Sequence, residues 1–70
     1  MFYKQRQSIQ NAVSKARKAS GLTQAELADK IGVTRQTIIA IEKGNYTPSV
    51  LLALKLAQAL NMKVEGLFWL

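Results

Sequence analysis

The chain has 70 residues, with ten Lys and Arg against four Asp and Glu, so its formal net charge is +6. We expect one small domain, residues 1–70, and the positive charge favours an anionic partner, although surface charge can also serve solubility alone. The absence of cysteine and histidine excludes disulfides, thiolate chemistry and the usual zinc ligands.

The apolar segments are too short to cross a membrane. The longest run, VLLALKLAQAL, is interrupted by Lys55 and falls far short of the roughly 20 residues that a spanning helix needs. The basic N-terminus is followed by no apolar stretch, so it does not resemble a secretory signal. We therefore expect a cytoplasmic protein with no membrane partner. We also expect no metal, cofactor or small-molecule ligand.

Residues typical of helix ends divide the chain into five predicted helices. Residues suited to a left-handed position after a helix are Gly21, Gly32, Gly44 and Asn61. Residues suited to the N-cap position are Thr23, Thr34 and Ser49, and Glu26 completes a capping box with Thr23. The predicted helices are 6–19, 24–31, 35–43, 50–60 and 64–69. Because no segment shows strand-like alternation, we predict an all-α bundle of short helices.

The second and third predicted helices have the spacing of a helix-turn-helix. In QAELADKIGVTRQTIIAIEK, residues 24–43, a four-residue turn containing Gly32 joins two short helices. Ala28 is small where one helix must approach the other. The apolar seam between the helices is predicted to contain Leu27, Ile31, Val33, Ile38 and Ile41.

The segment LTQAELADKIGVTRQTIIAIEKGNYTPS resembles the phage-repressor and Cro-type helix-turn-helix family, also called the xenobiotic response element family, of bacterial transcription regulators. The resemblance extends over residues 9–68 and includes LALKLAQAL. It implies a lambda-repressor-like fold and a sequence-specific regulator of transcription, most simply a repressor, that binds double-stranded DNA.

By this resemblance the third helix is the recognition helix, which enters the major groove. The predicted base contacts are Arg35, Gln36, Ile39 and Ala40. The guanidinium of Arg35 suits guanine and the carboxamide of Gln36 suits adenine, whereas Ile39 and Ala40 can contact a thymine methyl group. The alternative for these residues is a solvated helix face.

The resemblance also assigns residues to the DNA backbone. The predicted phosphate contacts are Gln24, Thr34, Lys43, Asn45, Tyr46 and Arg17. Tyr46 can instead be a packing residue. Arg17 and Glu42 match positions that form an internal salt bridge in the family, so Glu42 is predicted to be structural and to hold Arg17 beside the backbone.

The C-terminal segment VEGLFWL has more apolar side chains than a domain of this size readily buries. We predict a two-fold homodimer through Leu51, Phe68, Trp69 and Leu70 that reads a near-palindromic operator, with half-sites about 34 Å apart. The alternative is that Leu67 and Phe68 complete the core of a monomer while the last two residues fray.

Two other functions compete with a transcription regulator. One is an antitoxin or protein-interaction module whose apolar C-terminal tail binds a partner protein, and the other is a helical module with no role on DNA. An enzyme is not expected, because the only acidic pair at helical spacing, Glu26 and Asp29, is explained by capping and solvation. No role is predicted for residues 1–7.

Overall fold

The computed structural model describes residues 9–70, in which five helices lie between two short strands. The elements in chain order are β1 (Gln10–Asn11), α1 (Val13–Ala19), α2 (Gln24–Ile31), α3 (Arg35–Glu42), α4 (Val50–Ala59), α5 (Val64–Leu67) and β2 (Phe68–Trp69). The predicted all-α bundle with five helices is confirmed, apart from the two strands.

The first helix is shorter than predicted, because it begins at Val13 rather than at residue 6. The backbone of Asn11 pairs with another strand, and the amide of Ala12 donates to the carbonyl of Leu67 at 2.9 Å. These bonds hold the chain extended before α1, so Ile9 lies outside the helix. The part of the prediction that falls on residues 6–8, like the N-terminal extension 1–7, lies outside the described residues.

The expectation that no strand would form is wrong. Strands β1 and β2 pair antiparallel, with Gln10 opposite Trp69 and Asn11 opposite Phe68. The last helix accordingly ends at Leu67 instead of residue 69, since Phe68 is extended with φ −132° and ψ 139°. Helices α3 and α4 end one residue earlier than predicted, within the usual variation of helix ends.

The predicted helix ends rest on local hydrogen bonds. The Thr23 hydroxyl accepts from the Glu26 amide at 3.0 Å, and the Glu26 carboxylate accepts from the Thr23 amide at 2.8 Å, which completes the capping box. Gly32, with φ 77°, ends α2 in the left-handed conformation, and Asn61, with φ 55°, is also left-handed after α4. These caps confirm the predicted helix ends. Gly32 ends α2 and so determines where the turn to α3 begins.

One apolar core joins all five helices. Its buried members are Val13, Leu27, Ala28, Ile31, Ile38, Ile41, Leu52, Leu56, Ala57, Leu60 and Leu67. Half-buried Val33 and Phe68 pack against this core. Since α2 and α3 pack directly on each other, the core fixes the position of α3 from behind.

Within residues 9–70, no helix has the length and apolar character needed to cross a membrane.

Candidate nucleic-acid interface

Helix α3 presents one apolar face to the core and one polar face to solvent. Ile38 and Ile41 are buried, with exposed fractions of 0% and 1%. On the opposite side Arg35, Gln36 and Lys43 are exposed, and Ile39 and Ala40 are half-buried between them. The spacing of three to four residues places these five side chains on one stripe, which we call the α3 face. All four residues predicted to contact bases lie on it.

The first turn of α3 is fixed by two threonines. The Thr34 hydroxyl accepts from the amide of Thr37 at 3.3 Å, as predicted for an N-cap. The two hydroxyls also lie within hydrogen-bond distance, at 3.1 Å. The backbone of Arg35 and Gln36 therefore lies in a helical turn that these hydrogen bonds hold in place. The contact between the Thr37 and Thr34 hydroxyls was not predicted from the sequence. The sequence signal for this contact is the position of Thr37 three residues after the cap.

Arg17 and Glu42 form an ion pair at the carboxyl end of α3. Arg17 Nε lies 2.6 Å from Glu42 Oε2, and the Arg17 and Glu42 side chains are only 10% and 8% exposed. Arg17 Nη2 also donates to Glu42 Oε1 at 3.3 Å, and Nη1 donates to the Leu22 carbonyl at 2.9 Å. Because the guanidinium is buried and already bonded on three nitrogens, its contacts favour the structural role of Arg17 over a phosphate contact.

The same carboxylate binds Gln24, the first residue of α2. Gln24 Nε2 donates to Glu42 Oε1 at 3.0 Å. Burial alone raises the pKa of Glu42, but hydrogen bonds from Arg17 and Gln24, with the charges of Arg17 and Lys18, outweigh it and hold that pKa below 4.5. Sequence reasoning missed this bond, because the two residues lie 18 positions apart and belong to different helices.

The loop after α3 continues the exposed polar surface. Lys43 forms the C-cap of α3, and Gly44 follows with φ 79°. The amide of Asn45 donates to the carbonyl of Ala40 at 2.9 Å, which folds the loop back on the helix. The side chains of Asn45 and Tyr46 are exposed. Tyr46 is therefore not a core residue, and both side chains lie beside the C-terminal end of α3.

The charge of α3 is positive on its exposed face. Its only acid is Glu42, whose side chain is 8% exposed and paired with Arg17, whereas Arg35 and Lys43 are exposed. An anion that approaches the α3 face therefore meets two cations and no unpaired carboxylate of this helix.

The residues predicted for a dimer interface separate into two groups. Leu51 on α4, Trp69 and Leu70 are exposed, by 64%, 45% and 70%. Phe68 is half-buried and packs against the core. The alternative prediction that Leu67 and Phe68 complete the core agrees with this packing, whereas Trp69 is held in β2 instead of fraying.

Comparison with known proteins agrees with this geometry. The helix-turn-helix family model matches residues 13–67. The chain is 52% identical to the uncharacterized HTH-type transcriptional regulator YgzD of Bacillus subtilis, over 89% of this chain and 94% of YgzD. It is 51% identical to an uncharacterized HTH-type transcriptional regulator of Methanothermobacter thermautotrophicus, over 86% of this chain and 88% of that protein.

Solved structures show the same fold. The crystal structure of the restriction-modification controller protein C.AhdI from Aeromonas hydrophila matches with a TM-score of 0.72 at 33% identity, over 77% of this chain and 78% of that one. A putative DNA-binding protein from Bacteroides fragilis matches with a TM-score of 0.79 over 87% of this chain and 98% of that one; at 23% identity this likeness concerns the fold alone. The chain belongs to the helix-turn-helix family of transcriptional regulators.

Proposed function

We propose that this helix-turn-helix regulator is a repressor that binds a near-palindromic operator as a homodimer, with α3 in the major groove. The observation that carries the proposal is the α3 face, which presents the exposed donors of Arg35, Gln36 and Lys43 on a helix whose other side is fixed in the core. Helix α3 has eight residues and is therefore about 12 Å long. A helix of this length reads only a few base pairs.

Base readout is assigned to the α3 face. Arg35 and Gln36 stand at the amino end of α3, the end that meets base edges in this class of motif. Their side chains suit guanine and adenine, respectively. Ile39 and Ala40 follow one turn later and are half-exposed, so they suit contact with a thymine methyl group.

The residues proposed to contact the DNA backbone lie around the four residues proposed to contact bases. Thr34 precedes the helix, Lys43 ends it, and Asn45 and Tyr46 follow in the loop, all with exposed side chains. Hydroxyl, amide and ammonium groups are common phosphate ligands and position a protein on the duplex without reading sequence. Gln24 lies at the same side of the fold, since its amide reaches Glu42 at the end of α3.

The proposed dimer uses the exposed apolar side chains. Leu51 lies on α4 beside Val50 and Leu54, which are 77% and 54% exposed, and Trp69 and Leu70 end the chain. Burying such groups in a two-fold interface is favourable, because it removes apolar surface from water. Two copies of α3 about 34 Å apart then read two half-sites. A bound dimer would repress by blocking access of RNA polymerase.

The same exposed residues favour one second candidate. Val50, Leu51, Leu54 and the C-terminal Trp69 could instead bind a different protein, as in an antitoxin. A stable complex with a heterologous protein that forms through these residues and leaves the chain monomeric on its own would support this candidate over the homodimer.

The test of DNA binding is its dependence on salt. If about 6–10 phosphates are contacted, affinity for duplex DNA falls by about 10³–10⁵ between 50 and 200 mM salt. Selection of bound duplexes from a random pool identifies the operator. Fluorescence anisotropy with labelled copies of the selected duplexes then measures how affinity depends on salt. Absence of duplex binding at low salt would refute the proposal.

A further inference from the structure

Helix α3 ends in a backbone pattern that three other helices share. The amide of Asn45 donates to the carbonyl of Ala40 at 2.9 Å, and the amide of Gly44 donates to the carbonyl of Ile41 at 3.0 Å. These two bonds form a Schellman motif. The same pair of backbone bonds ends α1, α2 and α4. Within residues 9–70, however, only at α3 does a side chain from another element also donate to a carbonyl of the motif.

The side chain that supplies this additional bond is Asn11 of β1. Its Nδ2 donates to the carbonyl of Ile41 at 3.0 Å, and its Oδ1 accepts from the amide of Val13 at 3.1 Å. Because one end of the carboxamide donates and the other accepts, the two bonds fix its orientation. The backbone of Asn11 is itself held opposite Phe68 of β2. The donor is therefore attached to the paired strands and to the start of α1 before it meets α3.

The carboxyl end of α3 leads directly into residues 43–46, which we call the α3 loop. Lys43 is the C-cap of the helix, and the side chains of Lys43, Asn45 and Tyr46 are all exposed. These three are among the residues proposed to contact phosphate. The amino end of α3, where the proposed base contacts begin, is fixed by its own side-chain cap. The bond to Ile41 thus restrains the end of α3 that continues into the loop.

We propose that Asn11 is a positioning residue for DNA binding, because it holds the α3 loop in the orientation that meets phosphate. This inference rests on the proposed binding of duplex DNA. Both polar ends of the Asn11 side chain are already bonded within the protein, so Asn11 acts through the loop and not on DNA itself. Phosphate contacts position a protein without reading sequence. Loss of the Asn11 donor therefore weakens binding to all base sequences alike.

The experiment removes the donor and keeps the local turn. In Asn11→Ser, the hydroxyl can still accept from the amide two residues on, but the side chain is too short to reach Ile41. We expect this change to lower affinity for the operator and for each of its single-base variants by about threefold to tenfold, the size of one hydrogen bond. Gln10→Ser, at the exposed neighbour in β1, is the matched control and leaves affinity unchanged. Circular dichroism sets a temperature at which every variant is folded.

A double-mutant cycle separates positioning of the loop from a general loss of folded protein. The second background carries Lys43→Ala, Asn45→Ala and Tyr46→Phe, which remove the proposed phosphate ligands of the loop. In this background, at low salt, Asn11→Ser costs less than about twofold in affinity, since the groups that it positions are gone. An equal cost of Asn11→Ser in the two backgrounds would overturn the inference.

The effect on the loop is also measured without DNA, by hydrogen exchange of backbone amides. We expect Asn11→Ser to speed exchange at Gly44 and Asn45, because their hydrogen bonds end the helix that Asn11 holds. The amides of Gly32 and Val33, which make the same bonds at the end of α2, keep their rates. Equal acceleration at both helix ends, or none at the end of α3, would overturn the inference.

A second variant covers the case in which Asn11→Ser does not fold. Asn11→Asp keeps the acceptor for Val13 and loses the donor at neutral pH, and Gln10→Glu adds the same charge one residue away. We expect the larger loss of affinity in Asn11→Asp, and equal losses would overturn the inference. Failure of the wild-type chain to bind any duplex would instead refute the proposed function, whereas wild-type binding with no effect of Asn11→Ser would overturn this inference alone.

Discussion

The side chain of Asn11 donates from Nδ2 to the carbonyl oxygen of Ile41 at 3.0 Å and so joins β1 to the end of α3. Asn11 Oδ1 accepts from the amide of Val13 at 3.1 Å, at the start of α1. The backbone of Asn11 pairs with Phe68 in β2. One residue therefore connects α1, α3 and the C-terminal strand.

Replacement of Asn11 should destabilise the fold. We expect Asn11→Ala to lower the free energy of unfolding by about 1–3 kcal/mol, because two hydrogen bonds worth about 0.5–1.5 kcal/mol each are lost. Gln10→Ala, at the exposed neighbour in the same strand, should stay within about 0.5 kcal/mol of wild type. Urea unfolding followed by circular dichroism measures both, and equal effects of the two changes would contradict this role of Asn11.

Removal of the buried cation should cost more. Arg17→Met leaves the Glu42 carboxylate buried without its ion-pair partner, and we expect a loss of about 3–5 kcal/mol in unfolding free energy. Lys18→Met, at the exposed neighbour, should change stability by less than about 0.5 kcal/mol. If Arg17→Met resembled Lys18→Met in urea unfolding, the ion pair would not stabilise the fold.

Acid should weaken the fold through the same carboxylate. Burial raises the pKa of Glu42, but the hydrogen bonds from Arg17 and Gln24 keep it below its ordinary value of 4.5. A carboxyl group with a lowered pKa stabilises the folded state above its unfolded pKa, and this contribution is lost as the pH falls through the folded pKa. Unfolding free energy should therefore decline below pH 4.5, and less steeply in Glu42→Gln. An unchanged decline in that variant would assign the effect to other carboxyl groups.

The sequence predicted the features of this fold that depend on near neighbours. The capping box of Thr23 and Glu26 and the left-handed Gly32 each follow from a few adjacent residues. The pairing of β1 with β2 could not be predicted in the same way. Its pairs, such as Gln10 with Trp69, come from the two ends of the chain, and two-residue strands are too short to show alternation.

In the candidate site, too, the sequence predicted the local features but not the contacts between residues distant in sequence. The exposed stripe from Arg35 to Lys43 follows from the period of one helix. The Arg17–Glu42 pair was expected only from the resemblance to a family, since neither residue's own helix indicates its partner. The bond from Gln24 to Glu42 depends on how α2 packs against α3, which no local pattern specifies.

Dimerisation is tested by mass in solution. We expect sedimentation equilibrium to give twice the mass of one chain, and Trp69→Ala to raise the dimer dissociation constant about tenfold or more, as loss of an interface tryptophan commonly does. Lys18→Ala, at an exposed residue of α1 outside these apolar groups, is the control and should leave the constant unchanged. The contradicting result would be a complex of wild-type protein with a duplex that carries one half-site, in which the mass corresponds to a single protein chain.

We propose that the amino end of the α3 face reads bases, while Lys43 and the loop that follows it bind phosphate. Arg35 stands at the amino end of α3 and Lys43 at its carboxyl end, and both are exposed. Loss of a bidentate base contact costs about 1–3 kcal/mol and relaxes preference at one position, whereas loss of a phosphate contact weakens binding to all sequences alike.

The most direct measurement is the affinity of wild type, Arg35→Ala and Lys43→Ala for the selected operator and for every single-base variant of it. We expect Arg35→Ala to remove the preference for one base pair in each half-site, and Lys43→Ala to lower all affinities by a similar factor with the preferences intact. If Arg35→Ala kept the full base preference of the wild-type chain, base reading by the α3 face would be contradicted.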